Sequence, residues 1–232
     1  MHWFLVAHVP SVGGHARLEG DEARHAGSRR LRDGESAVVF DGAGTVGEAV
    51  VTERGRTLQV TSVRRVERGA PEIEVATALP KGDRAATLLD MGTQLGMDVF
   101  TPLETARSVV SPTDNARRRW ERVCVEACKQ SRRAWLPRIG PTVPPERAAE
   151  QALERGAALL LADREGAPVS SVLDSLRHCE RLCVFIGPEG GFTDAERDAI
   201  RAAGAHGIRL AEGVLRVETA VVAVVALLRA GA

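Results

Sequence analysis

The rhythm of apolar and polar positions changes once along the chain. Before residue 70, short β-branched runs alternate with polar residues at Ser36–Phe40, Thr45–Thr52 and Thr57–Val63. Asp41-Gly42-Ala43-Gly44 and Arg54-Gly55-Arg56 separate them. A two-residue period broken by glycine turns predicts hairpins. Strands this short, about ten residues apart, predict a small barrel rather than a sandwich. Arg64–Pro71 loses the alternation and carries Gly and Pro, which marks a linker. From Glu72 onward strands and helices alternate. Ile73–Leu79, Val99–Leu103, Ala157–Ala162, Leu182–Ile186 and Ile208–Leu210 are the expected strands. Arg84–Leu95 (stopped by Gly96), Asp114–Trp135 and Val217–Arg229 are expected helices, with one more between the last two strands. Continuous apolar runs such as Leu182–Ile186 suit strands covered on both faces. The expected organisation is therefore a β-barrel domain at 1–70 and an α/β domain with a mainly parallel sheet at 71–232.

Composition narrows the picture. A compact chain of 232 residues buries roughly 70% of its unfolded surface, enough for a core without staples. Lys plus Arg and Asp plus Glu both number 31, so any polyanion site must be a local patch. Met1–Pro10 lacks the character of a secretory signal, and no apolar run reaches the ~20 residues that span a bilayer. The cysteines pair at i,i+4, as Cys124/Cys128 and Cys179/Cys183. The first pair shares a helical stripe with Trp120 and Val123, which points to burial, and zinc sites favour a different spacing. The expectation is a reduced, cytoplasmic protein without metal or membrane partner.

The strongest local signal follows Leu182–Ile186. Gly187-Pro188-Glu189-Gly190-Gly191-Phe192 leads into Thr193-Asp194-Ala195-Glu196, where Thr193 and Glu196 form a capping box. A glycine loop at the carboxyl edge of a parallel sheet is where open α/β folds take ligands. It lacks a GK[ST] ending and a G-x-G-x-x-G pattern, and Glu189 would repel phosphate. Hydroxyls or a cationic ligand suit it better; the alternative is a plain strand-to-helix turn with an exposed glutamate. A second loop, Ala211-Glu212-Gly213-Val214-Leu215-Arg216, also runs from a strand to a helix N-terminus. Arg216 there is electrostatically misplaced for a purely structural cation.

Gly187-Pro188-Glu189-Gly190-Gly191-Phe192-Thr193 with Glu196, followed by Val214-Leu215-Arg216-Val217-Glu218-Thr219-Ala220, resembles the paired signature of the RsmE family. These are uracil-N3 methyltransferases of small-subunit (16S) ribosomal RNA, within the SPOUT superfamily. Lys81-Gly82-Asp83-Arg84, Arg107-Ser108-Val109, Gln130-Ser131-Arg132-Arg133 with Pro137, and more loosely His25 and Arg30-Leu31-Arg32-Asp33-Gly34, extend the likeness. The resemblance implies a PUA-like RNA-binding β-barrel followed by a SPOUT-type knotted α/β methyltransferase domain, a homodimer, and S-adenosyl-L-methionine as cofactor. The cofactor contacts it implies are Leu79, then Ile186, Gly187, Pro188, Glu189, Gly190 and Gly191, then Leu210, Ala211, Val214, Leu215, Arg216 and Thr219. The chain departs from the family pattern at Asp90-Met91-Gly92-Thr93-Gln94-Leu95-Gly96, where Met91 and Gln94 replace a lysine and a glutamate, and at Ala211 and Gly213.

A uracil N3–H must lose its proton during transfer. Arg216 is the candidate catalytic residue, stabilising the developing anion; no general base is assigned. Arginines crowd between Arg107 and Arg138, a local excess suited to polyphosphate, although a solvated helix face looks similar. The candidate RNA contacts are Arg30, Arg32, Lys81, Arg107, Arg132 and Arg133. With aromatics at 3%, base stacking along an extended strand is disfavoured, and folded ribosomal RNA or the small subunit is the expected partner. A non-catalytic RNA-binding paralogue, or an unrelated α/β enzyme binding another nucleotide, would share parts of this pattern.

Overall fold

The computed structural model describes residues 1–80, 82–108 and 112–230. The strands are β1 (His2–Leu5), β2 (His15–Arg17), β3 (Ser36–Phe40), β4 (Thr45–Thr52), β5 (Thr57–Arg65), β6 (Glu72–Ala78), β7 (Val99–Leu103), β8 (Arg138–Ile139), β9 (Ala158–Pro168), β10 (Arg181–Ile186) and β11 (His206–Arg209). The helices are α1 (Gly20–Arg29), α2 (Arg84–Leu95), α3 (Asp114–Ser131), α4 (Pro145–Glu154), the single turn α5 (Leu173–Leu176), α6 (Asp194–Ala202) and α7 (Val217–Ala230). Two compact units result: Met1–Arg68 with Val125–Leu136, and Gly69–Cys124 with Pro137–Ala232. Helix α3 is thus divided between them.

In the first unit, β1-β3-β4-β5-β2 form one sheet that curls into a half-barrel, antiparallel except for β1 beside β3. Phe4, Val39, Val51 and Leu58 fill it, joined by Ala26 of α1. The sequence pattern missed α1 because its apolar face is made of alanines, Ala23 and Ala26, with no bulky residue to mark a period. Trp135 packs in the same unit under Arg65 and Arg68, whose guanidinium carbons lie 5.0 and 4.5 Å from its ring centre, and its Nε1 donates to the Val66 carbonyl.

In the second unit six parallel strands run in the order β11-β9-β10-β6-β7-β8. Period two sorts their side chains. Leu182, Val184 and Ile186 face one core with Leu88 of α2 and Val221, Val224 and Val225 of α7. Cys183 and Phe185 face another, with Ala148, Ala149 and Ala152 of α4 and Ile200 of α6. Each sheet face is closed by helices, so the strands carry unbroken apolar runs. Cys124 and Cys128 are buried and unbridged.

Several elements differ from the pattern-based expectation, β6 and β11 by one or two residues at their ends and others by more. Helix α3 stops at Ser131 because Arg132 turns left-handed (φ 59°) and the Arg133 amide returns to the Cys128 carbonyl at 2.9 Å, a closure of the Schellman type. Helix α4 carries no period of bulky apolar residues in the sequence, its buried stripe again being mainly alanine. Strand β9 continues six residues past Ala162. It pairs with β11 at Leu160 and Leu161, then again at Ala167 and Pro168, while β11 advances by a single residue from Gly207 to Ile208. Residues 162–166 are thereby thrown out of the ladder as a five-residue excursion, larger than a simple bulge. The C-terminal helix is tied back by Arg229, which donates to the carbonyls of Gly69 (3.1 Å), Pro71 (2.8 Å) and Gly96 (2.6 Å) and pairs with the buried Asp98.

Candidate functional site

Strands β10 and β11 end at one sheet edge and release loops there, and β9, which lies between them, bulges at the same level before continuing to Pro168. The three segments enclose a cleft of about 710 Å³, within the range of small-molecule sites. Its floor is apolar: Leu161, Ile186, Phe192, Val217 and Ala220 line it and are buried.

The glycine loop forms one wall. Pro188 to Gly191 is a tight turn, with the Gly191 amide donating to the Pro188 carbonyl at 2.8 Å and Gly191 at φ 68°, a conformation that suits glycine. The turn is pinned by the helix that follows. Thr193 and Glu196 form the expected capping box, and the second Glu196 oxygen accepts the Ala106 amide at 2.8 Å. Burial pushes the Glu196 carboxyl up, but the amides of Thr193 and Ala106, the Thr193 hydroxyl and the Arg107 charge outweigh it and hold the group below its ordinary value. Glu189 pairs with Arg84 at 3.2 Å.

The loop after β11 forms the facing wall, with Leu210, Ala211, Glu212, Gly213, Val214 and Leu215. Val214 is 75% exposed, a large apolar side chain left open to solvent beside the cleft.

The β9 bulge supplies a third wall: Ala162, Asp163, Arg164 and Glu165. Gly166 permits it. A Cβ there would lie 2.5 Å from the Gly207 carbonyl carbon and the Ile208 nitrogen, so the two backbones close together only at glycine. Asp163 is fixed by Arg201 at 2.7 Å and by the Glu165 amide at 3.1 Å. The pattern-based reading ended this strand at Ala162 and missed these residues. The signal that finds them is positional: they follow a buried parallel strand at its carboxyl end, next to the glycine loop.

Of the expected cofactor contacts, Ile186, Gly187, Pro188, Glu189, Gly191, Leu210, Ala211, Val214 and Leu215 line the cleft. Leu79 lies in the core instead, 4% exposed. Gly190 is off the cleft wall and gives its carbonyl to Arg107. Arg216 and Thr219 are exposed at the start of α7 without lining the cleft. Met91 and Gln94 sit on α2, half-buried and exposed, and neither lines it.

Among the expected RNA contacts, Arg30, Arg32 and Arg132 are exposed, and Arg133 is half-buried. Arg30 and Arg132 both cap helices in the left-handed region, at φ 53° and 59°. Arg107 is exposed but directed at the glycine loop. Lys81 and Val109 lie outside the described residues. Among the described residues no group of three or more His, Cys, Asp and Glu could hold a metal, and no helix is long and apolar enough to cross a membrane.

Residues 68–229 match the RNA methyltransferase domain family, and residues 18–61 match the RNA methyltransferase PUA domain. Over 229 residues, 94% of this chain and 87% of the relative, the sequence is 35% identical to ribosomal RNA small subunit methyltransferase E of Mycobacterium bovis. The chain belongs to the ribosomal RNA small subunit methyltransferase E family. The Synechocystis member is 32% identical over 195 residues, 82% of this chain and 64% of its own length. The Neisseria gonorrhoeae member, crystallised bound to S-adenosyl methionine, superposes with a TM-score of 0.88 at 26% identity, covering 99% of this chain and 97% of that one. A putative methyltransferase from Legionella pneumophila, in complex with the same cofactor, gives a TM-score of 0.84 at 25% identity, over 99% and 96%. The family assignment fits an α/β unit with a parallel sheet and a PUA-type half-barrel.

Proposed function

We propose that this chain methylates N3 of a uridine in small-subunit (16S) ribosomal RNA, using S-adenosyl-L-methionine. The observation that carries the proposal is the cleft. Its volume, apolar floor and mixed-charge walls (Asp163, Glu165, Glu189 and Glu212 with Arg164, Arg197 and Arg209) fit a nucleoside whose tail carries both an ammonium and a carboxylate. Relatives of the same family are named ribosomal RNA small subunit methyltransferase E, and one was crystallised bound to S-adenosyl methionine.

The bound cofactor supplies an electrophilic methyl group on sulfur and departs as a neutral thioether. The protein's task is then alignment of donor and acceptor, worth up to ~7–11 kcal/mol in favourable systems. The apolar floor would hold the adenine, and the carboxylates and arginines of the walls would meet the sulfonium, ammonium and carboxylate of the methionine end. Uracil N3 gives up its proton to solvent or an unassigned base as the N–C bond forms. Arg216, exposed at the head of α7, is the residue proposed to stabilise negative charge on the uracil ring. Arg30, Arg32, Arg132 and Arg133 are the proposed contacts to RNA phosphates, a homodimer is the proposed assembly, and the cytoplasm the proposed location.

Three measurements test this. Titration calorimetry should give S-adenosylmethionine binding in the micromolar range. Mass spectrometry of ribosomal nucleosides from a strain lacking the protein should show one N3-methyluridine lost; an unchanged profile would refute the uridine assignment. Arg216→Ala should slow transfer more than it weakens cofactor binding.

A further inference from the structure

We infer that Arg107 is a positioning residue for the glycine loop. The inference rests on the cleft holding S-adenosylmethionine. Of residues 187–192, Gly190 alone is off the cleft wall. Its carbonyl accepts from Arg107 Nη1 at 2.6 Å, and the same nitrogen stands 3.4 Å from the Phe192 carbonyl. One guanidinium therefore grips the loop on both sides of Gly191, the left-handed residue that makes the turn.

The grip is doubled by its neighbour. The Ala106 amide donates to Glu196 Oε1, while Glu196 Oε2 accepts the Thr193 amide at 2.7 Å and hydroxyl at 2.9 Å. The segment leaving β7 is thus fastened to the glycine loop at two consecutive residues, across more than eighty positions of sequence. On the loop's other flank Arg84 holds Glu189. Residues Gly187, Glu189 and Gly191, which face the cleft, sit between these fasteners. A guanidinium committed to backbone carbonyls in this way orders the surface that a ligand meets. Charge-assisted bonds to carbonyls are stronger than neutral ones, and prior ordering raises affinity by lowering the entropy lost on binding.

The test uses the full-length protein and compares wild type, Arg107→Ala and Arg107→Lys. Arg107→Ala should weaken S-adenosylmethionine binding in calorimetry by about fivefold, the cost of ordering roughly one loop residue on binding. It should raise KM for the cofactor more than it lowers kcat. Arg107→Lys, able to reach one carbonyl, should recover part of the loss. Binding to purified 16S rRNA, and its salt dependence, should stay at the wild-type values, while the melting temperature without cofactor falls by no more than about 2–4 °C, the cost of one net hydrogen bond. Unchanged cofactor affinity in Arg107→Ala would overturn the role. So would a drop in rRNA affinity with a salt slope reduced by about one, the signature of a lost phosphate contact. Wild-type protein that binds no S-adenosylmethionine would overturn the proposed function itself, and this role with it.

Discussion

Replacing Gly166 with alanine adds one methyl group where the structure has no room for it. The new carbon would lie 2.5 Å from two backbone atoms of β11 and 2.7 Å from the Gly207 carbonyl oxygen. Comfortable carbon contacts begin near 3.5 Å, so the strands must separate by about 1 Å. A flexible side chain could swing aside, but a ladder of paired backbone cannot. The cost belongs at the upper end of overpacking effects, about 3 kcal/mol. For a domain of this size that lowers the melting temperature by about 6–12 °C. Asp163 and Glu165 sit on the same bulge, so cofactor affinity should fall with stability. Gly207→Ala is the matched control, because a Cβ there meets only the Gly166 Cα at 3.5 Å. It should cost well under half as much. Differential scanning fluorimetry and calorimetry on both variants decide the matter. Equal melting temperatures for the two, or unaltered cofactor binding in Gly166→Ala, would refute the claim that this contact shapes the cleft.

Other outcomes follow from single groups. Arg132→Gly should relieve about 1 kcal/mol of left-handed strain, raising the melting temperature slightly, while weakening rRNA binding; a loss of both would show that the side chain supports the fold. Glu196 binds its proton less readily in the folded protein than in the unfolded chain. Its contribution is therefore intact above its ordinary value of 4.5 and lost as the pH falls through the lower folded value. Cofactor affinity should be flat near neutrality and decline in that acidic window, and Glu196→Gln should flatten the decline when both are titrated side by side. Arg229→Leu should cost about 3 kcal/mol in urea unfolding, because it leaves the buried Asp98 carboxylate without its cation.

Features written in local chemistry were legible in the sequence. The capping box at Thr193 and Glu196 needs only residues three apart, and strands β3, β4 and β7 begin and end where the alternation does. What escaped was set by partners distant in the chain. Asp163-Arg164-Glu165 looks like a polar loop until β11, some forty residues later, pairs on both sides of it. Arg107 looks like one more cation in a basic stretch, since nothing nearby announces that its acceptors are the Gly190 and Phe192 carbonyls. Helices α1 and α4 hid because alanine buries well and marks a period poorly. The two loops that wall the cleft are legible because glycine and helix caps have meaning one residue at a time. Leu79, Arg216 and Thr219 were named from family likeness, and the fold puts them in the core or on the surface near the start of α7.

The Arg229 clamp reaches further than the stability it adds. By touching the Gly69 and Pro71 carbonyls, the last turn of α7 lies beside the point where the second unit begins. The stretch from 69 to 230 is therefore a nearly closed loop of polypeptide. Its first and last turns are thus one structural feature: fraying of the C-terminal helix at Arg229 would also release the Gly69 and Pro71 carbonyls from which β6 sets out.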